Sequence, residues 1–284
     1  MTEHVLVWHP KVPGDGPAGG DDQLRLIGMP TGLVRPARQV LAADQLTPPA
    51  RAVMHTVLGV LERMAESSAT TPVVVGFDEL DDADRATVAD ILGEGDVWAK
   101  VGTPDAYIRI VESVLPGVWR LEASAVDGTT REWLEVGAVP QPILTAAAEQ
   151  ARAAIGIPPQ MPQGAMNAPS LLAELQERSR AYQPGTENHV INFTLLPITE
   201  VDTQVLTAVL GQIPLVIRSG GYGSSRVFAT GLKHVWAVQY INSMGNVILD
   251  TLEVGGVPVS VLAAREDFAD SAERLAEILE AFTS

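Results

Sequence analysis

Residues able to do chemistry are sparse in this chain, and their spacing does not assemble them. The five histidines, His4, His9, His55, His189 and His234, include no pair at the i, i+4 spacing that sets two metal ligands on one helical face. There is no cysteine, which excludes disulfides, a thiolate nucleophile, Cys-ligated zinc and protein-held iron–sulfur clusters. The segment Ser219-Gly220-Gly221-Tyr222-Gly223-Ser224 is Gly-rich. A phosphate loop, however, follows a strand and opens a helix, so that backbone N–H groups face the anion; here a strand pattern follows, and the segment reads as a hairpin. Asp81, Asp82, Asp84 and Asp90 lie on a short helix with no shared apolar pocket to raise a pKa, and read as caps and a solvated face. There is no Gly-x-Ser-x-Gly elbow, Walker loop or dinucleotide fingerprint. The expectation is no catalytic residue, no metal and no cofactor.

The polar residues that do stand out emerge when the chain is compared with itself. Leu92-Gly93 recurs as Leu210-Gly211, Val118-Trp119 as Val235-Trp236, and Glu135-Val136-Gly137-Ala138-Val139-Pro140 as Glu253-Val254-Gly255-Gly256-Val257-Pro258, at offsets of 118, 117 and 118 residues. The slip of one falls at a hairpin, where a length change is cheapest. The period is too long for a solenoid and reads as two copies of one small domain. Features present in both copies read as structural, with Trp119 and Trp236 expected to pack under the short acidic helix. Polar residues of one copy only are freer to function. Copy two has Gln239, Tyr240 and Asn242 where copy one has Glu122, Ala123 and Ala125, and carries Arg218, Tyr222 and Arg226 around the Gly-rich turn. These six are the candidate partner-binding residues, a peptide surface with an aromatic anchor and amide groups. On a strand, Tyr240 and Asn242 share one face and Gln239 takes the other.

The elements that position them are legible locally. Thr47-Pro48 opens a helix whose face is Met54, Val57, Leu58, Leu61 and Met64; Leu171, Leu172 and Leu175 mark its counterpart. Apolar strands at Val73–Val75 and Val190–Thr194 follow. Asp81 and Thr199 then cap short acidic helices, with Asp84 and Asp202 three residues on, and Gly93 and Gly211 end them. The pattern next turns to strands: Val97–Val101, Ala106–Val111, Val118–Ala123 and Glu132–Val136, answered by Leu215–Arg218, Arg226–Thr230, Val235–Ile241 and Val247–Val254. Asp127-Gly128 and Met244-Gly245-Asn246 supply hairpin turns. A closing helix follows each sheet; in the second, Phe268, Ala272, Leu275, Leu279 and Phe282 form one stripe, which, if exposed, would mark a homodimer. The expected class is α+β, two sequence-related repeats, each a mostly antiparallel sheet with helices packed on one face. The divisions are an N-terminal arm at 1–45 with a flexible Pro10–Asp22, a first repeat at 46–157, a Pro-rich linker at 158–169 and a second repeat at 170–284.

Composition bounds the partners. The 284 residues suggest about two domains, and 46% apolar content supports real cores. With 19 Lys+Arg against 35 Asp+Glu the formal charge is −16, which repels nucleic acid and anionic membrane. Met1–Pro10 has no basic region followed by an apolar one, and no apolar run nears the roughly 20 residues of a membrane span. A cytoplasmic protein is expected.

The runs His189–Pro197, Ser219–Gly223, Val235–Ser243 and Ile248–Val254, with the ending Glu266–Leu275, resemble the HupH/HyaF family of hydrogenase expression/formation proteins. The likeness covers all of copy two; copy one matches more loosely, and Met29-Pro30 in the arm fits as well. The resemblance implies a non-enzymatic accessory protein in maturation of a nickel–iron uptake hydrogenase. It further implies a cytoplasmic chaperone chiefly for the precursor of the small, iron–sulfur-bearing subunit, which carries a twin-arginine signal peptide, with other maturation proteins as further partners. No catalytic residues are carried over. Where the family pattern has a cysteine before the arginine of the Gly-rich turn, this chain has Ser225 before Arg226, which leaves that loop without a thiol. The alternatives are a scaffold that joins maturation factors without touching the client, and an enzyme with an unrecognised site.

Overall fold

The computed structural model describes residues 46–66, 71–77, 80–220 and 224–282. The arm expected at 1–45, with Met29-Pro30, and Tyr222 of the Gly-rich turn lie outside the described residues. Helix α1 (Pro48–Glu66) starts as the sequence dictates: the Ala50 N–H donates to Thr47 Oγ1 at 3.3 Å, and Met54, Val57, Leu61 and Met64 are buried. After β1 (Val73–Gly76), α2 (Asp82–Leu92) is capped by Asp81, whose carboxylate accepts the Asp84 N–H at 2.8 Å. Its counterpart α5 (Glu200–Leu210) opens on a reciprocal box. Thr199 Oγ1 accepts the Asp202 N–H and Asp202 Oδ2 accepts the Thr199 N–H. Both helices stop at glycines with positive φ, Gly93 at 59° and Gly211 at 65°; a Cβ on Gly93 would come within 2.9 Å of Val114 Cγ1.

The remaining elements are β2 (Val97–Gly102), β3 (Tyr107–Glu112), β4 (Val118–Ser124), β5 (Thr130–Val136), α3 (Gln141–Glu149), α4 (Ala168–Ala181), β6 (His189–Asn192), β7 (Gln212–Ser219), β8 (Ser224–Thr230), β9 (Val235–Ile241), β10 (Val247–Val254) and α6 (Arg265–Ala281). Among the described residues the strands form one 10-stranded sheet in the order β1-β5-β4-β3-β2-β7-β8-β9-β10-β6. All its neighbours are antiparallel. The architecture is α+β. Read inward from either edge, the two halves have the same order, and β2 pairs with β7 at the centre from Val97↔Ser219 to Val101↔Leu215.

Helices cover both faces, not one. On one face Val75, Val118, Leu134 and Val136 lie with α1, α2 and α6. Further along that face Ile191, Phe228, Ala237 and Leu252 lie with α4 and α5, and Ile157, just before the Pro-rich linker, and Met161, within it, pack against the same cluster. On the opposite face Ala99, Ile110, Leu121, Leu215 and Val227 are covered by Ile143 and Ala146 of α3 and by Val261 of the 3-10 turn Val259–Val261. Trp119 and Trp236 belong to this last cluster. They therefore do not pack under the acidic helices, which sit across the sheet: β-alternation sends each tryptophan to the side away from its neighbours Val118 and Val235. Trp119 Nε1 donates to Gly137 O at 2.8 Å, whereas Trp236 Nε1 is buried with no hydrogen-bond partner among the described residues.

The stripe of α6 is spent within the chain. Phe268, Ala272, Leu275 and Leu279 are buried against α1, so this stripe leaves no exposed apolar face for a second copy. The two helices run antiparallel and cap each other with arginines. Arg265 donates to Ala65 O at 2.9 Å and Glu66 O at 3.2 Å, and Arg51 donates to Phe282 O at 3.2 Å. Arg152 does the same for α5, donating to Val209 O and Leu210 O. A cation at a helix C-terminus satisfies orphan carbonyls and opposes the negative end of the dipole.

Asp202 ties the second half together. Fully buried, it accepts from the Asn167 and Ala168 N–H groups at the start of α4, both at 2.8 Å, as well as from the Thr199 N–H and hydroxyl. Burial alone would push its carboxyl up, but the hydrogen bonds from Ala168, Thr199 and Asn167 outweigh that and hold it below the ordinary range. Asp84 is the lighter version, taking the Thr47 hydroxyl at 2.6 Å. Asp202→Ala is expected to cost ~2–3 kcal/mol in urea unfolding and Asp84→Ala ~1 kcal/mol. Because the folded pKa of Asp202 is depressed, its contribution is present above the unfolded value of about 3.9 and is lost as pH falls through the folded one. The difference between wild type and Asp202→Ala should therefore shrink in acid; an undiminished difference there would contradict this assignment.

Candidate functional site

Sheet register lines up a row of side chains that no single strand reveals. Val111 lies opposite Trp98, Trp98 opposite Arg218, Arg218 opposite Arg226, Arg226 opposite Gln239, and Gln239 opposite Asp250. Directly paired residues in an antiparallel sheet share a face, so all six are on the side that carries α1 and α4. Neither helix-covered cluster on that side includes Trp98, Arg218, Arg226 or Gln239. Trp98, Arg218 and Arg226 are half-buried, while Gln239 and Asp250 are each 2% exposed.

Three of the six residues singled out in the sequence, Arg218, Arg226 and Gln239, therefore come together. The Arg218 guanidinium stands over the Trp98 ring at 5.1 Å, a cation–π contact. Burial, helped by the charge of Arg226, brings its pKa down to about 10, so it stays charged near neutrality. Tyr240 is on the opposite face beside the Trp236 cluster, where burial and the nearby Glu253 charge push its phenol up. Asn242 is a turn residue: its Oδ1 accepts the Met244 and Asn246 N–H groups at 3.0 and 2.9 Å, which closes the β9–β10 hairpin. Tyr222 is outside the described residues. The aromatic group beside the arginines is Trp98, which sequence reasoning missed. The only signal for it was a tryptophan two residues from Lys100 in a strand, and its significance depends on β2 pairing with β7. Ser225, next to Arg226, points to the other face, buried and without a hydrogen-bond partner among the described residues.

The first half carries a parallel row, Lys100 opposite Arg109 and Arg109 opposite Glu122. Its charges are matched. Arg109 meets Glu94 at 3.6 Å and Glu122 at 3.9 Å, Arg120 meets Glu94 at 3.4 Å, and Lys100 sits over the Tyr107 ring at 4.1 Å.

Among the described residues no group of three or more His, Asp or Glu could hold a metal ion, and no helix is long and apolar enough to cross a membrane. Two mostly apolar concavities of 460 and 410 Å3 adjoin Val101 and Ile108 on the opposite face. Among the described residues the most displaced carboxyl is that of Glu112. Burial pushes it up to about 7 against the Gly117 N–H it accepts at 3.1 Å, with the charges of Asp267 and Asp96 adding to the rise. Glu135, also buried, is instead fully used, accepting the Trp133 indole at 2.9 Å and the first N–H of α3, from Gln141, at 2.6 Å.

Comparison with known proteins gives a consistent set of relatives. The family described as HupH hydrogenase expression protein, C-terminal conserved region, matches residues 165–282. Hydrogenase expression/formation protein HupH of Rhodobacter capsulatus is 38% identical, over 95% of this chain and 94% of its own. Hydrogenase expression/formation protein HoxQ of Cupriavidus necator is 37% identical over 94% of each. Hydrogenase-1 operon protein HyaF of Escherichia coli K12 is 34% identical over 69% of this chain and 68% of its own.

Glu112 gives the sharpest pH signature. A carboxyl whose folded pKa lies above its unfolded one disfavours the fold once ionised, so stability falls as pH rises from about 4.5 towards 7. Glu112→Gln should stabilise the protein at pH 8, by ~2 kcal/mol, and do little at pH 5. Thermal melts at the two pH values check this, and equal shifts at both would contradict it.

Proposed function

The chain belongs to the HupH family of hydrogenase expression/formation proteins, and from that premise we propose that it is a non-enzymatic cytoplasmic chaperone that binds the small-subunit precursor of a nickel–iron hydrogenase before export. The observation that carries the maturation role is identity above a third with expression/formation proteins over almost the whole chain. Chemistry supports the finer reading. A chain with no cysteine holds no cluster by thiolates, but can hold the polypeptide that will receive one. A net charge of −16 attracts a basic twin-arginine signal peptide at long range, an effect that salt screens over about 10 Å at 0.1 M.

Co-expression with the small-subunit precursor, with and without its signal peptide, tests this by co-purification. Retention of the precursor is expected, weaker without the signal peptide and weaker in high salt. Retention indifferent to ionic strength would remove the electrostatic part. No retention in either form would turn the weight to a scaffold that contacts other maturation factors only.

A further inference from the structure

At one edge of the sheet apolar side chains stand in solvent with no cation among them. Strand β6 is the outermost strand at that end, paired on its inner side with β10 from Val254↔His189 to Thr251↔Asn192. If this pairing ran on, Leu195 would fall opposite Ile248. Instead the Asn192 side chain accepts the Thr194 N–H at 2.9 Å and starts a 3-10 turn at Phe193–Leu195. The register of β10 shifts at the same place, between Val247 and Leu249. Phe193 turns into the core with Leu252, while Leu195 and Ile248 are 80% and 56% exposed, with Val190 at 50% on β6 itself. Single exposed apolar residues are ordinary on a surface, but several on one strand edge mark a binding site. Lysine and proline commonly guard such edges against pairing, and β6 has neither. Charge says what the edge accepts. Residues 181–217 and 234–264, which include β6, its turn, α5, β9 and β10, contain no Lys or Arg. Exposed Glu187 precedes β6 and exposed Glu200 opens α5 just past the turn, while His189 is matched with Glu174 at 2.8 Å. The opposite edge, β1, exposes Val74 as well, but Arg131 lies on its neighbour β5 and Arg265 reaches the end of α1 just ahead of it.

We propose that the β6 edge is the docking site for an extended partner segment that joins an arginine pair to an apolar run, the chemistry of a basic signal peptide. The segment adds to β6 as a further strand. Its apolar side chains meet Val190, Leu195 and Ile248, and its cations meet the acidic flank. This rests on the reading of the chain as a chaperone of the small-subunit precursor, and adds where on the molecule the precursor is held. A second copy of this chain brings the same acid to the edge and is repelled.

The test uses the full chain and a fluorescent probe peptide, Gly-Arg-Arg-Gly-Leu-Val-Leu-Val-Leu-Gly, read by anisotropy. One control peptide has Glu-Glu for Arg-Arg, the other Ser and Thr for Leu and Val. The probe is expected to bind about tenfold tighter than either control. Val190→Lys, which puts a cation on the edge, should lose about tenfold, Leu195→Ser about fivefold, and Val126→Ser, equally exposed but in the first half, under twofold. Leu195 is a surface residue, so Leu195→Ser should keep its Tm within about 2 °C of wild type, which separates lost binding from lost folding. Equal binding by wild type, Val190→Lys and Leu195→Ser, equal binding of the Glu-Glu peptide, or an equal loss in Val126→Ser would each overturn the proposal. Sedimentation should find a monomer. A wild-type dimer that Val190→Lys dissociates would make a second copy the occupant and overturn the partner assignment. The two readings fail separately. Probe binding that Val190→Lys abolishes, with no precursor retained on co-expression, keeps the dock and removes the client. Precursor retained equally by wild type and Val190→Lys keeps the client and removes the dock.

Discussion

The pairing of β2 with β7 is the constraint on which the rest of the molecule depends. Each half of the sheet, taken alone, would end at its inner strand in a row of unpaired N–H and C=O groups, an invitation to aggregation. Joining the two inner strands over Val97–Val101 and Leu215–Ser219 removes both edges at once. It also fixes what lies on either side. Ala99 and Ile217, paired across the join, are almost fully buried beneath α3. One residue along, on the other face, the same register sets Trp98 against Arg218. A slip of one residue would bury the arginine and expose the apolar side chains, so the hydrophobic face under α3 holds the polar strip in place.

Charge is placed at element ends with the same economy. In a chain so rich in acid, buried carboxylates serve as caps: Asp202 for α4 and α5, Asp84 towards Thr47 at the start of α1, and Glu135 for α3. The few arginines answer at the other ends, Arg265 on α1, Arg51 on α6 and Arg152 on α5. Several of these contacts join segments far apart in sequence, so helix-end electrostatics here orient elements relative to one another as well as stabilising each one. The remaining surface acid carries the net charge, whose effect is long-ranged and weak at any one point.

Much of the secondary structure was legible because its causes are local. The caps at Thr47, Asp81 and Thr199, the glycine stops, the strand alternation and the stripe of α6 each involve residues a few positions apart, and each is where the sequence places it. The candidate residues were half legible. Arg218, Arg226 and Gln239 meet in one row, but Tyr240 faces the other way and Asn242 holds a turn. Singling out polar residues around a turn says nothing about whether their side chains share a face with those of the neighbouring strands.

What the sequence determined by itself is the set of elements, the acidity, the lack of thiol and metal-ligand patterns, and the family the chain belongs to. All of these are written in short-range pattern or in wording. Only tertiary structure decided that β2 meets β7, that α6 closes on α1 in the first half, and that the two tryptophans lie away from the acidic helices. The physical reason is common to all three. An apolar stripe or an alternating strand specifies that a face will be buried and when, but not against what, since one hydrophobic surface serves nearly as well as another until volume, register and helix-end charge are satisfied together.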